Sequence, residues 1–141
     1  MNNTQDQAVR LVESILGVDL DPEVETVLCV PYLSIQKVKA MTDGTKIKVG
    51  AQNLHWEDSG AYTGEVSPIM LKELGVDYVI IGHSERRQYF CETDETVNKK
   101  LIAAHKYGMV PIVCVGETLS QREEGIHLDL VKNQVLRSFE G

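Results

Sequence analysis

A histidine that follows an apolar stretch is the first residue of this sequence that could carry chemistry. The residues from Tyr78 to Ile81 are β-branched or aromatic, and this pattern predicts a strand buried on both faces. Gly82 ends the stretch, and His83 lies just past the carboxyl end of the strand, where parallel α/β folds collect their catalytic groups. His83 is therefore a candidate acid–base residue. The alternative is a polar residue that hydrogen-bonds a turn.

The residues after His83 predict a short helix. Ser84 is a suitable N-cap, and Glu85 would place a negative charge in the first turn, near the positive end of the helix dipole. The same dipole disfavours the protonated form of His83. A neutral imidazole can donate its proton to a developing oxyanion.

Several charged residues near the predicted strand ends have two possible interpretations. Glu85, Glu92 and Glu117 are carboxylates in such positions, and Glu117 with His83 could form an acid–base pair. We favour the alternative for Glu117, a charge that orients a loop or pairs with an arginine. Arg86 and Arg87 could bind phosphate, but adjacent arginines at a turn more often form ion pairs or subunit contacts, and we favour that interpretation.

The composition excludes several classes of protein. The formal net charge of -7 argues against nucleic acid or an anionic membrane as the main partner, although a small anionic substrate remains compatible. The glycines form neither a G-x-G-x-x-G motif nor a P-loop, and the histidines lack metal-binding spacing. We therefore expect no cofactor and no metal site.

The cysteines and the N-terminus predict a cytoplasmic protein. The number of cysteines is odd, with no C-x-x-C motif, so we interpret Cys29, Cys91 and Cys114 as reduced thiols. Cys29 and Cys114 lie in apolar runs and are expected to be buried. The first ten residues are polar and do not resemble a secretory signal, and no apolar run reaches the ~18 residues of a membrane span.

Hydrophobic periodicity predicts one helix followed by four strand–helix repeats. The predicted strands are 24–30, 47–51, 78–81 and 110–115, and the longer predicted helices are 5–16, 33–41, 68–74, 94–107 and 128–139. Buried strands at intervals of roughly 30 residues indicate βαβ units and a parallel sheet. We expect one domain over residues 1–141.

One connection, Gln52 to Ser67, is too long for a routine loop. Loops of this length are usually functional or cover a partner. Trp56 and Tyr62 within it could pack the loop core or anchor an interface, and the loop length favours an interface.

Four segments together resemble the triosephosphate isomerase family. They are Gly50-Ala51-Gln52-Asn53, the stretch Glu57 to Ser67 with its Tyr62-Thr63-Gly64-Glu65, the Gly82-His83-Ser84-Glu85-Arg86-Arg87 block, and Cys114-Val115-Gly116-Glu117. The resemblance runs over essentially the whole chain in one register. It implies a (β/α)8 barrel enzyme that interconverts dihydroxyacetone phosphate and glyceraldehyde 3-phosphate in glycolysis and gluconeogenesis, without a cofactor.

The resemblance also implies roles for individual residues. His83 matches the electrophile that polarises the substrate carbonyl. Glu85 matches a residue that contacts the catalytic groups but not the substrate. The loop 52–67 matches the segment that reaches into the second subunit of a homodimer. The contact residues that it implies are Thr63, Gly64, Glu65 and Arg86.

The chain departs from the family pattern at both ends. The match covers strands two to five of eight, so we expect a partial barrel of about four parallel strands with outer helices, truncated at both ends relative to the family. The first strand with its substrate-binding lysine, the strand with the catalytic glutamate and the phosphate loops have no counterpart in these residues. The alternative interpretation is therefore an inactive fragment or an interaction module, with two open sheet edges that favour self-association.

Overall fold

The computed structural model describes residues 1–141, which form one open sheet with helices. The strands are β1 (Val27–Val30), β2 (Lys48–Ala51), β3 (Tyr78–Ile81) and β4 (Val110–Val113). They pair in parallel in the order β1-β2-β3-β4, so each strand lies beside its neighbour in sequence. This arrangement is that of a partial α/β barrel, which confirms the predicted fold class.

Seven helices connect and flank the strands. They are α1 (Gln5–Leu16), α2 (Tyr32–Thr42), α3 (Pro68–Glu73), α4 (Ser84–Tyr89), α5 (Asp94–Lys106), α6 (Leu119–Glu123) and α7 (His127–Ser138). Thr4, Thr93 and Thr118 begin their helices with capping boxes. In each, the threonine side chain accepts from the N–H of the third helical residue, and that residue's side chain accepts from the threonine N–H. The sequence did not predict α6. None of the helices combines the length and apolarity needed to cross a bilayer.

The core lies between the sheet and the helices on one of its faces. Val49, Val79 and Ile81 from the strands are fully buried, and Ile35 of α2 and Val97 of α5 are buried against them. Each such side chain stabilises the fold by about 1.5–3 kcal/mol. The helical periodicity that identified α2 and α5 thus also identified the face that they bury.

The opposite face of the sheet is open, so the prediction that β3 is buried on both faces was wrong. Tyr78 and Ile80 are only half-buried, while Val79 and Ile81 are fully covered. On β4, Val110 and Ile112 are exposed. The reason is that the described helices cover only one face, and an apolar run does not show what covers its other side.

Some predicted element boundaries and burials also differ from the structure. The strand predicted from residue 24 begins at Val27, because the Val24 N–H donates to the Asp21 carbonyl in a turn. The strand predicted to reach residue 115 ends at Val113. Helix α7 forms as predicted, yet Leu128 and Leu136 of its apolar stripe are exposed.

Candidate active site

His83 caps the N-terminus of helix α4. Its backbone is extended (φ -54°, ψ 142°), and its Nδ1 accepts a hydrogen bond from the Glu85 N–H at 3.3 Å. The prediction that Ser84 is the cap was therefore wrong, because the imidazole nitrogen does what a serine oxygen usually does, and Ser84 is the first helical residue. A ring nitrogen that accepts a hydrogen bond carries no proton, so this contact suits the tautomer whose proton is on Nε2.

The remaining ring nitrogen of His83 is available to a ligand at the carboxyl edge of the sheet. The His83 side chain is 43% exposed, and no hydrogen bond within the chain uses its Nε2. Glu85 lies beside it, with a carboxylate oxygen 3.7 Å from Nδ1, although the Glu85 side chain is 73% exposed. The two side chains thus lie beside each other, and their catalytic roles stay predictions.

The peptide that precedes His83 is held by Arg87. The Arg87 guanidinium donates to the Gly82 carbonyl at 2.8 Å and to the Cys114 carbonyl at 3.4 Å, and it pairs with Asp94 at 2.7 Å. Gly82 has φ 73°, and an added Cβ would lie 3.1 Å from the Cys114 carbonyl oxygen, so only glycine fits there. The expectation that the arginine pair forms ion pairs is confirmed for Arg87.

Arg86 belongs to a buried polar network that joins α4 to α5. Its Nε lies 3.2 Å from the Glu92 carboxylate, whose other oxygen lies 2.5 Å from Lys100 Nζ. Lys100 also donates to the Asn53 side chain at 2.7 Å. Burial lowers the pKa of Lys100, and the neighbouring Glu92 opposes that effect. The network therefore ties the base of the loop 52–67 to the helix that carries His83.

An aromatic cluster organises the loop 52–67. His55 is buried, and its ring centroid lies 4.2 Å from that of Trp56 and 4.5 Å from that of Tyr62. Trp56 packs against the core, whereas Tyr62 is 45% exposed, so the first is a packing residue and the second remains available to a partner. Thr63 and Gly64 are exposed. Their contact with a second subunit stays a prediction.

Glu117 is a paired charge at the end of β4. Arg122 donates to its carboxylate, and this interaction lowers the pKa of Glu117. The adjacent Gly116 is clamped by the Gln134 side chain, which accepts from its N–H at 2.8 Å and donates to its carbonyl at 2.9 Å. These contacts confirm the favoured interpretation of Glu117 as a charge paired with an arginine in an ordered loop.

The cysteines differ in their burial. All three are free thiols, as expected. Cys29 is only half-buried, because it faces the side of the sheet that no helix covers. Cys114 is half-buried as well, because it follows the last strand. The expectation of full burial was therefore wrong for both. No three His, Cys, Asp or Glu side chains lie close enough together to hold a metal ion.

Lys100 and Asn53 were not predicted as members of the site, although the sequence contains a signal for Lys100. Lys100 follows Val97 by three residues and precedes Ala104 by four, so it lies on the buried face of α5. A lysine at an inward position needs a buried acidic partner. Glu92, just before the helix, is an acidic residue on the N-terminal side, and it is buried against Lys100.

Comparison with known proteins decides the family. The family model described as triosephosphate isomerase matches residues 1–141. The chain belongs to the triosephosphate isomerase family. This finding confirms the resemblance drawn from the sequence.

The relatives show how much of a family member the chain represents. It is 55% identical to the triosephosphate isomerase of Clostridium tetani and 58% identical to that of Acetivibrio thermocellus, over 96% of this chain in both cases. The protein of that name from Thermoanaerobacter pseudethanolicus is 52% identical over the whole chain. The matched regions are 53%, 54% and 57% of these three triosephosphate isomerases, so the chain spans about half of their length.

Proposed function

We propose that this chain contributes the electrophile of a triosephosphate isomerase, which interconverts dihydroxyacetone phosphate and glyceraldehyde 3-phosphate. The observation that carries the proposal is the position of the His83 ring. Its Nδ1 accepts the Glu85 N–H, and its Nε2 makes no hydrogen bond within the chain at the carboxyl edge of the sheet, where it can donate to a substrate oxygen. A neutral imidazole at a helix N-terminus is the arrangement for which this family is the standard example.

The chemistry assigned to His83 is proton transfer to and from the substrate oxygens. When a base removes the proton between the hydroxyl and carbonyl carbons, charge develops on the carbonyl oxygen of the enediolate. The Nε2–H donates to that oxygen, and its alignment before the reaction lowers the barrier. Glu85 supports the ring, and no cofactor is required.

The base and the substrate-binding lysine are not matched by any of these 141 residues. Glu117 does not replace the base, because its carboxylate is already paired with Arg122. We therefore expect the 141-residue chain by itself to have no isomerase activity. Activity would require the remaining strands of a barrel, as in the relatives.

We also propose that the complete enzyme is a cytoplasmic homodimer that acts in glycolysis and gluconeogenesis. The dimer would form through the loop 52–67, with Thr63, Gly64 and Glu65 reaching a surface that includes Arg86. Two features support this. The outer residues of the loop are exposed, and Asn53 at its base is held by Lys100.

A chimaera tests the proposed activity. The segment of the Acetivibrio thermocellus relative that aligns with this chain is replaced by this chain, and isomerase activity is measured beside that of the unmodified relative. We expect the chimaera to be active and the isolated chain to be at background. A folded but inactive chimaera would contradict the proposal and favour the interaction module. Activity of the isolated chain would show that a base lies within these residues.

A further inference from the structure

We propose that Arg87 is a positioning residue for His83, which deepens the function proposed above. The Arg87 Nε donates to the Gly82 carbonyl, and that carbonyl belongs to the peptide whose nitrogen is that of His83. The same guanidinium reaches the Cys114 carbonyl just past the end of β4. One side chain thus holds the peptide before the electrophile and the end of the neighbouring strand in a fixed relation.

The guanidinium suits this task because its donors lie in one rigid plane. Nε, Nη1 and Nη2 point to the Gly82 carbonyl, the Asp94 carboxylate and the Cys114 carbonyl. Asp94 pairs with it at 2.7 Å, and both side chains are less than 20% exposed. Charge-assisted bonds in a fork geometry fix orientation as well as distance. A lysine at this position offers one ammonium and cannot span all three partners.

Arg87 holds the carbonyl of a glycine, the residue with the widest range of backbone conformations. Gly82 has φ 73° and no side chain to restrict it. A rotation of the Gly82–His83 peptide plane changes the direction of the His83 side chain and its distance from the Glu85 N–H. Catalytic groups are sensitive to such shifts, because a displacement of about 1 Å can cost on the order of 100-fold in rate.

The first test reads the tautomer of His83 directly in the 141-residue chain. Long-range ¹⁵N–¹H spectra, assigned with His83→Gln, distinguish a protonated Nε2 from a protonated Nδ1. We expect Arg87→Met and Asp94→Asn to shift His83 from the Nε2–H form toward a mixture, and Arg87→Lys to have an intermediate effect. Arg137→Met is the control, since Arg137 of α7 also pairs with an acidic residue at the start of α5, Glu95, but its side chain is 65% exposed.

Either outcome of this experiment decides the inference. An unchanged His83 spectrum in folded Arg87→Met or Asp94→Asn would overturn it and leave Arg87 a purely structural residue. If Arg87→Met does not fold, Arg87→Lys and Asp94→Asn still decide the question, because both retain a polar partner at the buried site.

The second test is kinetic and uses the chimaera. We expect Arg87→Lys to lower kcat about 10- to 100-fold with little change in KM, because the resemblance implies that the substrate's phosphate is held by loops that have no counterpart in these residues. A rise in KM with unchanged kcat would contradict the inference. The spectra do not depend on activity, so an inactive chimaera would count against the proposed function and not against the role of Arg87.

Discussion

At the scale of single residues, the two ring nitrogens of His83 have different tasks. Nδ1 accepts the Glu85 N–H and fixes the ring, while Nε2 makes no hydrogen bond within the chain. The sequence predicted the position of His83, because an apolar run ended by glycine marks a strand end. It did not predict that His83 is the N-cap of α4. Ser84 and His83 both lie at the start of the helix, and only the backbone geometry decides which side chain reaches the Glu85 N–H.

Cys91 provides a prediction at this scale. It is the only residue other than glycine with a positive φ, at 54°, a conformation that costs an L-residue about 1–2 kcal/mol. We expect Cys91→Gly to raise the free energy of unfolding by about 0.5–1 kcal/mol, after the greater chain entropy of glycine is subtracted. Urea unfolding measures the change. Cys91→Ala removes the thiol but keeps the strain, so an equal gain in that variant would refute this explanation.

At the scale of elements, a buried ion pair joins the connection between α4 and α5 to helix α5. Glu92 and Lys100 have side chains no more than 5% exposed. Removing one partner leaves the other charge buried and uncompensated, so we expect Glu92→Gln or Lys100→Met to cost about 3–5 kcal/mol in unfolding free energy. The double substitution should cost less than the sum of the two. Additive losses in urea unfolding would mean that the pair is not coupled.

Asp77 joins helix α2 to strand β2 and gives a pH dependence. Burial would raise its pKa, but the Lys39 ammonium at 2.8 Å and the Val49 N–H hold the pKa below the ordinary value of 3.8. A lowered carboxyl pKa contributes stability above the ordinary value, and this stability is lost as the pH falls through the lowered value.

Replacement of Asp77 tests that link. We expect Asp77→Asn to cost about 1 kcal/mol at pH 7, since the pair is partly screened by water, and to make the loss of stability below pH ~4 shallower. Unfolding by urea between pH 2 and 7 measures both effects. Asp19→Asn, at an exposed position without a partner, is the control. An unchanged acid limb in Asp77→Asn would contradict the assignment.

The elements also show where sequence patterns stop being informative. The hydrophobic periodicity and the capping residues identified α1 and α5, because the formation of these helices depends on residues close together in the sequence. The burial of β4 and α7 was not predictable in the same way, because it depends on what covers them. Ile112 and Leu136 are apolar, and in these 141 residues both face open space.

At the scale of the whole molecule, the open sheet predicts self-association of the 141-residue chain. Strands β1 and β4 have unpaired edges, and Val110 and Ile112 expose apolar surface beside one of them. We expect a concentration-dependent mass in sedimentation velocity at micromolar concentration, reduced by Ile112→Lys. Ile102→Lys, at an exposed position on α5, is the matched control. A clean monomer with a cooperative thermal transition would contradict this expectation.

The most direct test of the proposed function is the turnover of the chimaera with and without His83. We expect His83→Gln to lower kcat about 10²- to 10⁴-fold, the range that a general acid–base group contributes. His105→Gln, which changes an exposed histidine on α5, should leave kcat unchanged. Equal turnover of the chimaera and its His83→Gln variant would show that His83 is not the electrophile, and that the imidazole at the end of β3 serves only to cap the helix.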